Sequence, residues 1–343
     1  MKGSVVALDQ WKGRGAAAML VDGKLTDLLI DPAAQDMPVP GTIYRAICDR
    51  PLKGQGGMML RIPDGTAFLR QGKGLAPGQS IFVQVTGFAE EGKAVPVTQK
   101  ILFKSRYAIV TPNAPGVNIS RAIRDDDIRD ELMELAKSMM EGVPHGLILR
   151  SICEHSDHEE IADDIALMLG QADGVLGAED NGAELLLDGP DAQLLAWRDW
   201  PAPDVMAANE GSFADYEIDS MVSDTLDDFV PLSGGASMYV EPTRALVAVD
   251  INTGGDTSVA AGLKANIAAA RDLPRQMRIR GLGGQITLDL APMTKKDRQT
   301  FESVLRAAFK VDSIDTALVG FTPLGHYELQ RKRERLPLKD CVE

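Results

Sequence analysis

The sequence predicts a multidomain chain of mixed α/β and α+β class, on three observations. Its 343 residues exceed what a single core usually encloses. Between residues 41 and 102 it breaks into short strand-like runs separated by glycine, proline and lysine turns. From residue 245 onward, strand-like and helix-like stretches alternate, as in layered α/β units.

Residues 1–38 open with two strands, SVVALD and AAAMLVDGKLTDLLI, the second carrying Asp22-Gly23 as a hairpin turn signal. The prolines of DPAAQDMPVPG then interrupt the pattern. Residues 39–102 hold the runs IYRAICDR, GGMMLRI, GTAFLR, SIFVQVTGF and AVPVTQKILF, spaced as in a small closed barrel of the OB type. Residues 103–185 read as more helical. DDIRDELMELAKSMMEG puts Ile128, Leu132, Leu135, Met139 and Met140 on one face, the strand GLILRS follows, and Ser156-x-x-Glu159 reads as a capping box. Residues 186–235 contain a loop-like stretch, 199–212, and a short amphipathic segment before Ser233-Gly234-Gly235. Residues 236–343 give strand 245–250, helix 260–280 with a kink expected at Pro274, and strand 285–290. Helix 295–310, strand 316–321 and a final helix 325–335 complete the reading.

No run approaches 18 apolar residues, and the start of the chain has no long apolar segment or cleavage site, so a membrane span and a signal peptide are not expected. Cys48, Cys153 and Cys341 are odd in number and far apart, which fits neither a disulfide framework nor a zinc pair and points to a cytoplasmic setting. The net charge of −14 argues against nucleic acid, but its distribution does not. Residues 236–343 carry 16 Lys+Arg against 13 Asp+Glu, and the remainder 20 against 37. The region with the α/β alternation is therefore the basic one.

That region also holds the best candidate chemistry. ALVAVDINTGG drives an apolar strand into Asp250, with Asn252 two residues on and facing the same way in extended chain. In GGQITLDLAPM, Ile286, Leu288 and Leu290 alternate with Gln285, Thr287 and Asp289. Two carboxylates and a carboxamide at strand ends make an all-oxygen set suited to Mg²⁺, with Mn²⁺ as the alternative. Such an ion polarises a phosphodiester oxygen and activates water for in-line attack. Read from the residues alone, a helix cap and a turn explain the same aspartates equally well. On the helix between them, Leu263, Ile267, Ala270 and Met277 form an apolar stripe, and Arg271, Arg275 and Arg278 form an adjacent face fit either for phosphates or for solvent. LQRKRER at 329–335 is a second basic run that reads as surface.

ALVAVDINTGG, RQMRIRGLGG, QITLDLAPMT and GHYELQRKRERLPL together resemble the catalytic region of the ribonuclease E/G family. The resemblance implies an endoribonuclease cutting single-stranded RNA, with Asp250 and Asp289 on magnesium and Asn252 assisting, and products ending in 5′-phosphate and 3′-hydroxyl. It implies an RNase H-like domain in two parts, 1–38 and 186–235. An S1-type OB barrel (39–102) and a 5′-end sensor (103–185) would interrupt that domain, and a DNase I-like α/β catalytic domain (236–343) would follow it. TPNAPGVNISRAI and HGLILRS resemble the sensor segments, which puts Arg150 and Ser151 on a 5′-monophosphate. Phe68 falls where an RNA-stacking aromatic is expected, or serves simply as barrel core, and Leu60 stands at the other aromatic position.

Besides Leu60, the sequence departs from the family pattern at three places. ICEHSDHEE replaces a glycine-rich turn, and its His155, Asp157 and His158 are better explained by helix capping than by metal. Pro292 replaces a second acid. The sequence reads to LPLKDCVE with the lone Cys341 and without the CPxC zinc link of the family's larger members, so the oligomeric state is open and a homo-oligomer remains possible. An RNA-binding protein on the same scaffold with little nuclease activity is the alternative function. A metal-dependent phosphatase for small molecules fits the site but leaves the barrel without a role.

Overall fold

The computed structural model describes residues 2–34, 37–52, 54, 56–90 and 92–341. They form two compact units, one from Met1–Gln35 with Pro203–Glu343 and one from Asp36–Ala202.

The chain opens with three antiparallel strands, β1 (Ser4–Trp11), β2 (Arg14–Val21) and β3 (Lys24–Ile30). Two-residue turns join them: Lys12-Gly13 with φ of 50° and 76°, and Asp22-Gly23 with φ of 51° and 76°. Positive φ at both central residues is the hairpin turn whose twist matches the strands, so the second predicted strand folds back on itself at Asp22-Gly23.

In the inserted unit, β4 (Ile43–Leu52), β5 (Gly57–Ile62), β6 (Gly65–Leu69), β7 (Ser80–Val85) and β8 (Val95–Thr98) pair in the order β4-β5-β6-β8-β7. β7 pairs back onto β4, so the sheet closes into a five-stranded, OB-like barrel filled by Tyr44, Ala46, Met58, Leu60, Ile62, Leu69 and Val83. Next come β9 (Phe103–Lys104), β10 (Ala108–Thr111), β11 (Gly116–Ile119), α1 (Asp126–Met139), β12 (Gly146–Leu149) and α2 (His158–Leu176). This region has more strand than predicted: a β11-β12-β10-β9 sheet shares one core with α1 and α2. Helix α2 is capped by Asp157, which accepts from the Glu159 N–H, while Ser156 bonds the Ile152 carbonyl instead. β13 (Glu184–Leu187) adds to β4, and α3 (Ala192–Asp199) follows.

Back in the first unit, β14 (Val205–Ala207) pairs in parallel with β1, inside the stretch read as loop, and α4 (Ser212–Asp215) and α5 (Ile218–Leu226) follow. A six-stranded sheet then forms from β15 (Phe229–Pro231), β16 (Ser237–Pro242), β17 (Val247–Asn252), β18 (Gly284–Asp289), β19 (Thr316–Phe321) and β20 (Tyr327–Arg331), in the order β15-β16-β17-β18-β20-β19. Helices α6 (Ala261–Ile279) and α7 (Lys295–Lys310) complete it. Among the described residues only the β17–β18 pairing of this sheet is parallel, and α6 is its crossover. α6 runs through buried Pro274 without interruption and ends in a Schellman cap. There Gly281 (φ 63°) bonds Arg278 O, and the Leu282 N–H bonds Met277 O.

The predicted final helix is instead strand β20. Its Glu, Leu, Gln and Arg residues favour helix, but pairing with β18 and β19 overrides propensity, and Tyr327, Leu329 and Arg331 alternate into the core. The basic run is therefore not all surface. Arg331 is 1% exposed, and its guanidinium bonds Asp312, as does that of Arg278. Asp27 on β3 bonds Arg335 (3.1 Å at Nη2) and lies 3.6 Å from Arg278 Nε.

Asp312 is enclosed between two guanidinium groups, and removing it would leave both without their acceptor. Asp312→Ala is expected to destabilise this unit by about 3–5 kcal/mol, read as a lower urea midpoint. A midpoint equal to wild type would show that the enclosed pair contributes nothing.

Candidate active site

The six-stranded sheet buries one face and leaves the other open. Met238, Val240, Val247, Val249, Ile251, Ile286, Leu288 and Leu329 lie in the core with residues of α6 and α7. Tyr239, Asp250, Asn252, Gln285 and Asp289 alternate onto the open face. Strand period two thus decides which side chains meet solvent.

The parallel register sets Asp250 opposite Asp289. Neighbouring strands lie about 4.8 Å apart, so the two carboxylates leave the open face side by side. Asp289 is 69% exposed at its side chain. Asn252 Nδ2 donates to Asp250 Oδ2 at 2.8 Å. Because a carboxylate only accepts, the amide nitrogen must face Asp250, and the amide oxygen is left for another donor. On the far side of Asp289, His326 Nε2 lies 3.6 Å from its Oδ1. Leu288 pairs with Tyr327 across β18–β20, which brings the residue before β20 level with Asp289.

Local packing fixes these positions. Asn266 of α6 is fully buried and bonds Ala291 twice, Nδ2 to the carbonyl at 2.8 Å and Oδ1 from the N–H at 3.0 Å. That pair clamps the backbone two residues beyond Asp289. Gly262 lets the start of α6 approach the same segment, since a Cβ there would stand 1.9 Å from Pro292 O. Gly254, with φ of 60°, lets the turn after β17 fold against Gly235, whose carbonyl would lie 2.1 Å from an added Cβ.

The donor set suits a hard divalent cation: two adjacent carboxylates, an amide oxygen and open access for water. Among the described residues no group of three or more His, Cys, Asp or Glu side chains is arranged to hold a metal. An ion at Asp250 and Asp289 would therefore draw most of its shell from water and substrate, as Mg²⁺ commonly does. His155, Asp157 and His158 form no such group either, and Asp157 is occupied as the cap of α2.

The structure does not bring the other predicted residues to this pair. At 1.5 Å per residue, Arg275 and Arg278 stand about 13–18 Å along α6 from Asn266. Arg275 bonds Asp272 at 2.7 and 2.8 Å and the Leu25 carbonyl at 2.9 Å. Arg278 bonds Asp312 and the Thr26 carbonyl, so both arginines fasten α6 to β3. Arg271 is exposed and has no ion-pair partner among the described residues. On the barrel, Leu60 is fully buried, and half-buried Phe68 lies over Gly57, where an added Cβ would meet its ring at 2.3 Å.

Arg150 is a tether within its own unit. Nη1 donates to the carbonyls of Ser105 (2.6 Å), Arg106 (3.2 Å) and Arg198 (2.9 Å), and Nη2 bonds Asp199 at 2.8 Å. Ser151 beside it is exposed. Burial raises the Asp199 carboxyl, but bonds from Arg198 and Lys104 outweigh it and hold the group at about 2.

Sequence reasoning missed His326, Asn266 and the exposed Lys295 and Lys296. The lysines left a signal, since two cations in the first turn of a helix oppose its dipole.

The sequence profile described as "Ribonuclease E/G family" matches residues 103–208 and 201–334. Ribonuclease G of Salmonella typhimurium (strain SL1344) is 26% identical over 299 residues, which is 75% of this chain and 60% of that protein. Ribonuclease E of Nostoc sp. is 27% identical over 301 residues (76% and 44%), and ribonuclease E of Escherichia coli K12 is 27% identical over 300 residues (76% and 28%). The matched part spans less than two thirds of each relative's length.

Asp199→Asn should loosen the Arg150 tether by about 1–3 kcal/mol at neutral pH, read by urea unfolding. Because the folded carboxyl titrates below its ordinary value, its contribution is full above about pH 4 and is lost as pH falls toward 2. The gap between variant and wild type should close over that window. A gap independent of pH would refute the assignment.

Proposed function

Because the chain belongs to the ribonuclease E/G family, we propose that it is a Mg²⁺-dependent endoribonuclease. It cuts single-stranded RNA internally, in RNA processing or decay, leaving a 5′-phosphate and a 3′-hydroxyl. The observation that carries this reading is the register pair Asp250–Asp289 on an open sheet face, with the Asn252 amide locked to Asp250 at 2.8 Å.

Asp250 and Asp289 would hold Mg²⁺, or Mn²⁺ in its place. A bound ion of this kind supplies Lewis acidity, polarising a phosphodiester oxygen and making water a better nucleophile at neutral pH. Asn252 cannot turn without losing its bond to Asp250, so its amide oxygen is fixed to accept from a water beside the scissile phosphate. Asn266 and Gly262 hold the backbone beyond Asp289 so that the two carboxylates keep their spacing. His326 borders Asp289 and presents a ring nitrogen to water or phosphate. Lys295 and Lys296, exposed at the start of α7 just beyond β18, offer charge to the flanking phosphates.

Elsewhere, Arg271 offers a guanidinium and Phe68 an apolar face to the RNA. Arg150 and Ser151 would take a terminal phosphate only by exchanging it for Asp199. No helix among the described residues is long and apolar enough to cross a membrane.

One observation favours a second reading, an RNA-binding protein without nuclease activity. It is that, among the described residues, no group of three or more His, Cys, Asp or Glu side chains is arranged to hold a metal at the carboxylate pair.

Asp289→Asn separates the two readings. With 5′-monophosphorylated single-stranded RNA and Mg²⁺, the variant should lose cleavage by about 10²–10³-fold or more. Its RNA affinity should stay within about threefold and its circular dichroism should match wild type. EDTA should silence the wild type equally. Cleavage unchanged in the variant, or insensitive to EDTA, sinks the nuclease reading.

A further inference from the structure

The acidic pair is the middle of a longer row. β15 sets Phe229 opposite Tyr239 of β16, and Tyr239 lies opposite Asp250, which lies opposite Asp289. Directly paired residues share a face, so two aromatics and two carboxylates stand in line on the open side of the sheet. Phe229 is 42% exposed and Tyr239 41%, and their rings meet edge to face with centroids 5.4 Å apart. Burial would have explained such rings, but the core is on the other face with α6 and α7.

We infer that Tyr239, backed by Phe229, is the stacking surface for the base of the nucleotide next to the scissile phosphate. The inference rests on the nuclease reading of Asp250 and Asp289. The occupant follows from the row itself. Tyr239 is one strand, about 4.8 Å, from Asp250, so a phosphate over the acidic pair puts its own base within reach of the ring. Phosphates are not expected over the aromatics, since Glu241 is the next exposed side chain on β16 and repels them. A base fits where a phosphate does not: it is apolar on its faces, uncharged and planar. Edge-to-face contact with Phe229 restrains the Tyr239 ring, which lowers the ordering cost when a base lies on it. Stacking accepts any base, so the pair supplies position rather than sequence readout.

The test uses full-length protein and a short single-stranded RNA of one defined cleavage site, with 2-aminopurine at each flanking position in turn. Binding is read by quenching of that base in EDTA, and cleavage separately in Mg²⁺. Tyr239→Leu keeps an apolar cross-strand neighbour but no ring, and Tyr239→Phe keeps the ring. Wild type and Tyr239→Phe should quench the probe at one flanking position, and Tyr239→Leu should not. KM for Tyr239→Leu should rise about tenfold, with kcat changing far less. Removing the base at that position should cost wild type the same factor and cost Tyr239→Leu nothing further. Phe229→Leu should give a smaller loss of the same kind.

Equal quenching and KM in wild type and Tyr239→Leu overturn the inference. So does a Tyr239→Leu effect on self-association in sedimentation with RNA binding unaltered, which would make the patch a protein contact. If wild type binds and quenches but does not cleave, the nuclease reading fails and the stacking surface stands. If it cleaves without quenching, the reverse holds.

Discussion

The register of one parallel strand pair decides whether this protein has a site. Among the described residues β17 and β18 are the only parallel neighbours in their sheet, and their pairing sets Asp250 against Asp289. A slip of one residue would turn Asp289 into the core and put Leu288 in solvent, so burial of Val247, Val249, Ile251, Ile286 and Leu288 holds the register. A parallel pair needs a crossover, and the crossover is α6, which carries Asn266. The connection that makes the pair therefore also clamps it.

The second constraint is electrostatic. Asp312 lies between Arg278 and Arg331, and Asp27 between Arg335 and Arg278, so two acids and three arginines join β3, α6 and the end of the sheet. Arg331 is enclosed to the point that its Nε and Nη2 have no hydrogen-bond partner among the described residues, and its guanidinium carbon lies 5.9 Å from the Phe309 ring centre. Such groups stabilise little in net terms, but they penalise any packing that separates them. They explain why charge in the basic part of the chain is only partly available to a polyanion.

What was legible in the sequence was whatever depends on near neighbours. Period-two alternation exposed Asp250, Asn252 and Asp289, turn residues marked the Asp22-Gly23 hairpin, and the short-run spacing marked the barrel. What was not legible depends on distant partners. Whether Arg275 and Arg278 face solvent or β3 is set by residues some 250 positions away. The β20 segment has helix-forming composition and becomes a strand only because β18 and β19 are there to pair. His326 is ordinary in sequence and gains meaning only from the β18–β20 register. Asp157 displaced Ser156 as a cap by a single residue, a distinction that composition does not resolve.

The bond between Asp27 and Arg335 spans 308 residues and has a temporal side. β1 to β3 are made early, yet the partners that complete their unit come only after the whole inserted unit has been synthesised. Residues 36–202 have cores of their own and can condense while the ribosome is still at work. The acidic pair has no such freedom, because β20 and the arginine that closes on β3 follow it in the chain. The sheet around the pair is therefore completed only by residues made after both carboxylates.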